Sequence, residues 1–113
     1  MVKEYIPKQR DIVYVQLNPT IGHEQAGYRP CLIISNYYFN KYTHMVIACP
    51  ISSNNKFFPT HYNLETTKKI KGSVFCEHIR ALDYHERKLK FVEQLDEKEF
   101  IMIKELLESA LDE

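Results

Sequence analysis

The stretch Asn18-Pro19-Thr20-Ile21-Gly22-His23-Glu24-Gln25-Ala26-Gly27-Tyr28-Arg29-Pro30 decides how this chain is read. A β-branched run, Asp11 to Leu17, leads into it, and an apolar run, Cys31 to Ile34, leads out. Gly22 and Gly27 supply positive φ without steric cost, so the segment can turn sharply between two strands. Pro30 biases Arg29 toward extended backbone and so fixes where its guanidinium starts. Loops held between strong strands are where binding and catalytic groups collect. On composition alone the stretch reads equally as a solvated hairpin loop or as a functional one.

Working outward, Asp11 to Leu17 alternates as a strand with Val13, Val15 and Leu17 on one face. Cys31 to Ser35 is almost wholly apolar and is expected to be a strand buried on both sides. The aromatic segment Asn36 to Tyr42 reads as a helical turn or an exposed connector, its rings filling the core or, less often, stacking on bases. A third strand, His44 to Cys49, is closed by Pro50, and Ile51 to Lys56 reads as a polar loop. Thr60 to Leu64 resumes strand character, and Glu65 to Gly72 is a lysine-rich turn. Ser73 to Tyr84 is a long strand whose alternation breaks near Cys76 to Ile79, predicting a bend. Leu89 to Val92 could form a last short strand. Asp96 then reads as an N-cap with Glu99 in capping-box register. It opens a helix with Phe100, Ile103, Leu107 and Ala110 on one face, flanked by Met102, Leu106 and Leu111. Short strands at close spacing with one amphipathic terminal helix predict a mainly β fold, a small twisted antiparallel barrel.

The 113 residues fit one domain, 1–113, with a core that needs no staples. No apolar run reaches the ~20 residues of a spanning helix, and residues 1–10 lack a signal peptide's apolar centre, so a cytoplasmic address and no membrane partner are expected. Cys31, Cys49 and Cys76 each sit in apolar surroundings without CxxC spacing and read as buried thiols. The five histidines are too scattered in sequence to suggest a metal, so no cofactor is expected. Net charge is zero but uneven: residues 1–92 hold thirteen Lys/Arg against seven Asp/Glu, and 93–113 hold two against eight. That balance argues against indiscriminate nucleic-acid binding and leaves room for a local basic groove.

A strand ending in Asn18-Pro19-Thr20, followed by Gly22-His23-Glu24-Gln25-Ala26-Gly27-Tyr28-Arg29-Pro30 and a hydrophobic strand, resembles the opening signature of the MazF/PemK toxins. The likeness continues through Cys49-Pro50-Ile51-Ser52-Ser53, Gly72-Ser73-Val74 and Glu77-His78-Ile79-Arg80-Ala81-Leu82-Asp83 to the closing helix. It implies the SH3-like barrel shared by CcdB, MazF and PemK toxins, and a sequence-specific, metal-independent endoribonuclease that cuts single-stranded mRNA. It also implies a homodimer, neutralised by a MazE-like antitoxin through whose complex DNA is bound. Two departures from the family pattern are His78, where glutamine is common, and Ala81, where threonine or serine is common.

Cleavage by the RNA's own 2′-hydroxyl needs a proton acceptor, a proton donor, stabilisation of phosphate charge and unstacked bases. The chain holds no carboxylate cluster suited to two Mg²⁺ ions, which favours that route. Arg29, with a planar fork that matches two phosphate oxygens, is the first catalytic candidate; its other reading is a partner for Glu24. Ser52 is the second, a hydroxyl donor where relatives usually carry threonine, with Ser53 competing. His23 and Glu24 are the titratable groups beside Arg29, as acid and base or as solvated loop residues. RNA contacts are expected from Gln25, Tyr28, Ser53, Lys56 and His78. Arg80 and Asp83 match the family's Arg-x-x-Asp pattern, which implies RNA contact or catalysis, and read equally as an ion pair of the strand. Two other classes fit the same barrel: a CcdB-type gyrase-directed toxin and a non-catalytic RNA-binding barrel.

Overall fold

The computed structural model describes residues 4–19, 22–23, 26–54 and 56–112. In chain order the elements are β1 (Asp11–Gln16), β2 (Tyr28–Ile33), α1 (Tyr37–Thr43), β3 (Met45–Ser52), β4 (His61–Asn63) and β5 (Ser73–Phe75). A 3₁₀ turn (Cys76–His78), β6 (Arg80–Asp83), β7 (Lys90–Gln94) and α2 (Glu97–Ser109) follow. Every strand pairing is antiparallel. The strands β7-β1-β2-β3-β6 make the barrel wall, and β3 continues past β6 to pair with β5, which pairs with β4.

β3 is the shared strand: Met45 to Ala48 pair with β6, while Ile51 and Ser52 pair with β5. Pro50 falls in the step between the two partners, opposite Cys31 of β2, a place where a sheet tolerates a residue with no amide to donate. The strand therefore runs on through Pro50 to Ser52, past the end expected from the sequence. β2 likewise begins at Tyr28, so Arg29 and Pro30 lie in the ladder opposite Val15 and Tyr14 instead of in the loop.

Period-two alternation sorts the side chains into two cores on opposite faces of the sheet. Ile12, Leu32, Cys49, Ile51 and Val74 join Leu95, Phe100 and Ile103 under α2. Val13, Val15, Leu17, Cys31, Ile33, Val46, Ala48, Leu82 and Tyr84 fill the barrel interior. The strand Cys31–Ile33 contributes to both, as its unbroken apolar run requires. All three cysteines are free and buried. The expected bend is a full 3₁₀ turn at Cys76–His78, which splits the long strand in two.

Two expectations change. α1 is a helix capped by Asn36, whose Oδ1 accepts from Phe39 N at 2.9 Å, but its aromatic rings do not fill the core. Tyr38 and Tyr42 are 68% and 75% exposed, and the residue buried from α1 is Asn40. Asn40 Nδ2 donates to Pro7 O at 2.8 Å and Ser35 O at 3.2 Å, and its Oδ1 accepts from the Ser35 hydroxyl at 2.5 Å, so an amide with several donors and acceptors pins the helix where a ring would only pack. In α2, Asp96 caps as expected, accepting from Lys98 N at 3.1 Å. Glu99 does not complete a capping box. It reaches instead to the 65–72 turn, where its carboxylate accepts from Glu65 N at 2.8 Å, Thr66 N at 3.0 Å and the Thr66 hydroxyl.

Candidate functional site

The loop after β1 is closed at its neck by the backbone and by two arginines. Leu17 N donates to Gly27 O at 2.9 Å, and Gly27 N, at φ +82°, donates to Asn18 Oδ1 at 3.1 Å. Arg80 Nη1 donates to Leu17 O at 3.3 Å, while Arg87 Nη1 donates to Gln16 O and Asn18 O at 2.9 and 3.1 Å. Arg87 carries no motif signal, and only the β6–β7 connection brings it to the neck. Gly22 and His23 are exposed, and Glu24 and Gln25 lie outside the described residues.

Arg29 stands where this loop re-enters the sheet. Its Nε donates to Ala26 O at 3.0 Å, which orients the guanidinium; among the described residues no acceptor takes Nη1 or Nη2. β2 and β3 pair as far as Cys31↔Pro50, and Arg29 and Ser52 each lie two residues beyond that last pair, toward the same end of the ladder. Two candidates 23 positions apart in sequence thus stand on neighbouring strands. Ser52 is 8% exposed and its Oγ accepts from Asn54 N at 3.2 Å, leaving the hydroxyl proton to donate elsewhere. Behind it, Gly72 at φ +133° comes so close that a Cβ there would sit 2.1 Å from Ser52 O. Only glycine permits that approach.

Beside Ser52 a cleft of about 380 Å³ is lined by Lys56, Phe57, Phe58, His61 and Ser73, among others. Phe57 is 92% exposed and Phe58 50%, an arrangement open to stacking by planar ligands. His61 stacks on Phe75 with ring centroids 3.7 Å apart and nearly parallel planes. Its Nε2 meets Glu77 Oε2 at 2.7 Å, and Thr60 Oγ1 donates to Glu77 Oε1 at 2.8 Å. Burial pushes the Glu77 carboxyl pKa upward, but hydrogen bonds from Thr60, its own backbone amide and His61 outweigh it and hold the pKa below the ordinary value. His78, in the 3₁₀ turn, lies 4.0 Å from the same carboxylate. Sequence reading took Glu77 only as part of a motif and missed the His61–Glu77 pair, which the β4–β5 ladder assembles through His61↔Phe75.

Tyr28 stacks on Tyr14, centroids 5.2 Å apart, and is half exposed; Ser53 and Lys56 are exposed beyond the end of β3. Arg80 and Asp83 are not an ion pair. Three residues apart on a strand, they face opposite ways, Arg80 toward the loop neck. Asp83 sits at the far end of β6 opposite Met45, and its Oδ1 accepts from His85 N at 3.0 Å and Glu86 N at 3.4 Å. Arg29, Ser52 and the Lys56 cleft therefore lie near one end of β3, and Asp83 at the other.

Residues 8–111 match the family described as PemK-like, MazF-like toxin of type II toxin–antitoxin system. The chain belongs to this family. It is similar to the endoribonuclease MazF of Staphylococcus saprophyticus, 38% identical over 96 residues and 80% of each chain. Among solved structures it resembles MazF from Deinococcus radiodurans, with a TM-score of 0.90 and 30% identity, covering 96% of this chain and 98% of that one. It also resembles a MazE–MazF complex from the same organism, with a TM-score of 0.84, 30% identity and coverage of 96% and 97%. The strand order, the shared β3 and the C-terminal helix are thus those of a MazF-like barrel. No helix among the described residues is long and apolar enough to cross a membrane.

Proposed function

We propose that this PemK/MazF-family protein is a sequence-specific endoribonuclease toxin that cuts single-stranded RNA without a metal ion. One observation carries the reading: within a chain matched to the toxin family over residues 8–111, Arg29 and Ser52 lie on neighbouring strands, each two residues past the last β2–β3 pair, Cys31↔Pro50. A guanidinium fork and a neutral hydroxyl at the same end of two paired strands suit the non-bridging oxygens of a phosphodiester. The RNA's 2′-hydroxyl loses its proton and attacks phosphorus, the bond to the 5′-oxygen breaks, and that oxygen gains a proton. The products are a 2′,3′-cyclic phosphate and a 5′-hydroxyl. Arg29 and Ser52 stabilise the charge on the equatorial oxygens; His23 and Glu24 are the candidates for the two proton transfers, since both belong to the sequence motif that leads into Arg29.

Bases are held out of stack by Tyr28 and by the Lys56 cleft, with Gln25, Ser53, His78 and Arg80 as polar readers. Asp83 acts by fixing the β6–β7 turn. The protein works as a cytoplasmic homodimer, and an antitoxin with a disordered acidic tail covers the basic groove. Relatives named endoribonuclease and a similar chain solved with MazE support this over the gyrase-directed alternative. The test is cleavage of cellular mRNA by purified protein in excess EDTA, with the new ends mapped. Cutting should persist and leave 5′-hydroxyl ends. Loss of all cutting on chelation, restored by Mg²⁺, refutes the metal-free step.

A further inference from the structure

The end of β3 that carries Ser52 continues sideways into β5 and β4. Ser52 pairs with Ser73, and Ser73 pairs with Asn63. Residues paired across antiparallel strands show their side chains on one face, ~5 Å apart from strand to strand, so a row of two hydroxyls and an amide runs ~10 Å outward from Ser52. The next row, Ile51, Val74 and Tyr62, turns to the opposite face, where Ile51 and Val74 are core residues and Tyr62 packs on them. Past it, Phe75 and His61 return to the face of Ser73 and Asn63, their rings stacked at 3.7 Å. The segment after β3 is tied back to this surface. Asn54 N donates to Ser52 Oγ at 3.2 Å, Lys56 N donates to Asn54 Oδ1 at 3.1 Å, and the Phe58 ring stands 5.0 Å from that of His61. The cleft of about 380 Å³ formed there is lined by the exposed rings of Phe57 and Phe58 together with Lys56, Asn63, Glu65 and Ser73.

We propose that this cleft seats the base of the nucleotide adjoining the scissile phosphate, that it takes an amino-bearing base and rejects uracil, and that Asn63 is the residue that makes the choice. The proposal rests on the endoribonuclease reading of Arg29 and Ser52. The row from Ser52 to Asn63 has the span of one nucleotide from its phosphate to the far edge of its base, so a phosphate at Ser52 brings the neighbouring base to Asn63. Phe57 and Phe58 supply the stacking surface, which serves every base alike. Selection therefore falls to the polar lining. Asn63 and Glu65 are exposed at the cleft. The Asn63 amide has an oxygen that accepts an amino N–H and a nitrogen that donates to the ring nitrogen beside it, while the Glu65 carboxylate only accepts. Adenine, cytosine and guanine each carry an amino group for these acceptors. Uracil carries none, and its single N3–H lies between two carbonyls that would face the carboxylate and the amide oxygen unpaired. Lys56 at the same rim supplies the charge for the phosphate on the outer side of that nucleotide.

The test varies each position of a cleaved oligonucleotide through A, C, G and U and measures the cutting rate, then repeats the series as binding of 2′-O-methyl RNA, which has no attacking hydroxyl. At one position beside the cut, uracil should be disfavoured by ~5- to 150-fold, the worth of a good two-point base contact. Asn63→Val, which suits a strand position, should bring that ratio under ~2-fold and leave preferences at the other positions as they were. Phe58→Ala should weaken binding of all four bases alike, with the ratio kept. The inference is overturned where no position beside the cut rejects uracil, or where the rejection survives in Asn63→Val. Failure of the cleavage reading looks different: no cutting at all, with the uracil ratio and its loss in Asn63→Val still present in binding.

Discussion

Glu99→Gln probes the link between α2 and the cleft. The Glu99 side chain is buried, the residue only 5% exposed, and receives two backbone amides and the Thr66 hydroxyl. Burial raises its pKa, yet the bonds from Thr66, the Glu65 and Thr66 amides and Tyr62 outweigh that and hold it below the ordinary carboxylate value. Glutamine keeps one acceptor oxygen and turns an NH₂ toward a backbone N–H. The change converts charge-assisted bonds into neutral ones and leaves a buried donor facing a donor, so the loss should be ~2–4 kcal/mol. Because the folded pKa is depressed, the stabilisation is present above the unfolded pKa of ~4.3 and disappears as pH falls through the folded value. Urea unfolding at pH 7 should separate wild type from Glu99→Gln by that amount, and the gap should close on acidification below pH ~4. A difference under ~0.5 kcal/mol at pH 7, or one that does not change with acid, refutes the account. Glu93 does the same work on the next residues, accepting from Lys68 N, Lys69 N and Ile70 N at 3.0, 2.9 and 2.8 Å. Together the two carboxylates hold the turn that ends at Gly72, behind Ser52.

Arg29→Lys should lose ~100- to 1000-fold in cleavage rate while unfolding like wild type, since lysine keeps the charge without the two-point fork; a rate within 3-fold of wild type in a gel assay would return the residue to a purely structural role. Ser52→Ala should cost less than Arg29→Ala in the same assay, because it removes a neutral donor and not a charged one. Gly72→Ala should destabilise by ~2 kcal/mol or more in urea, as the added Cβ must move Ser52's backbone, and should slow cleavage beyond what the stability loss explains. RNA affinity should fall with salt, and Arg29→Ala should flatten the log–log slope by about one unit; an unchanged slope means the guanidinium does not meet phosphate.

The barrel was legible because its signals are local. Alternation in Val13, Val15 and Leu17, the unbroken apolar run from Cys31, and the lost alternation near Cys76 each follow from which face a side chain must cover. The strand ends were not, since Pro50 and Arg29 look like loop residues until their partners are known. Pro50 is tolerated because β6 stops at Ala48 and β5 starts at Ile51, a fact about pairing between distant segments. α1 misled for the opposite reason. Its rings carry the largest apolar area in the segment, yet Asn40 is what the interior takes, because Pro7 and Ser35 offer its side-chain amide partners.

The candidate site divides along the same line. Arg29 and Ser52 could be named from their motifs, but that both lie at the same end of the β2–β3 ladder follows from its register, which no local pattern encodes. The His61–Glu77 pair and the Arg87 clasp have no motif at all; each exists because a ladder or a turn carries one residue across to another. The acidic tail shows the cost of reading charge as a bulk property. Residues 93–113 carry two Lys/Arg against eight Asp/Glu, yet Glu93 and Glu99 direct their charge at backbone amides of the lysine-rich 65–72 turn. A carboxylate occupied in that way is not a repulsive surface charge for RNA, and its removal acts on the position of Gly72 and Ser52. Neutralising either glutamate should therefore slow cleavage through lost order at Ser52, whereas neutralising the exposed Glu105 or Glu108 of the same helix should change neither rate nor stability.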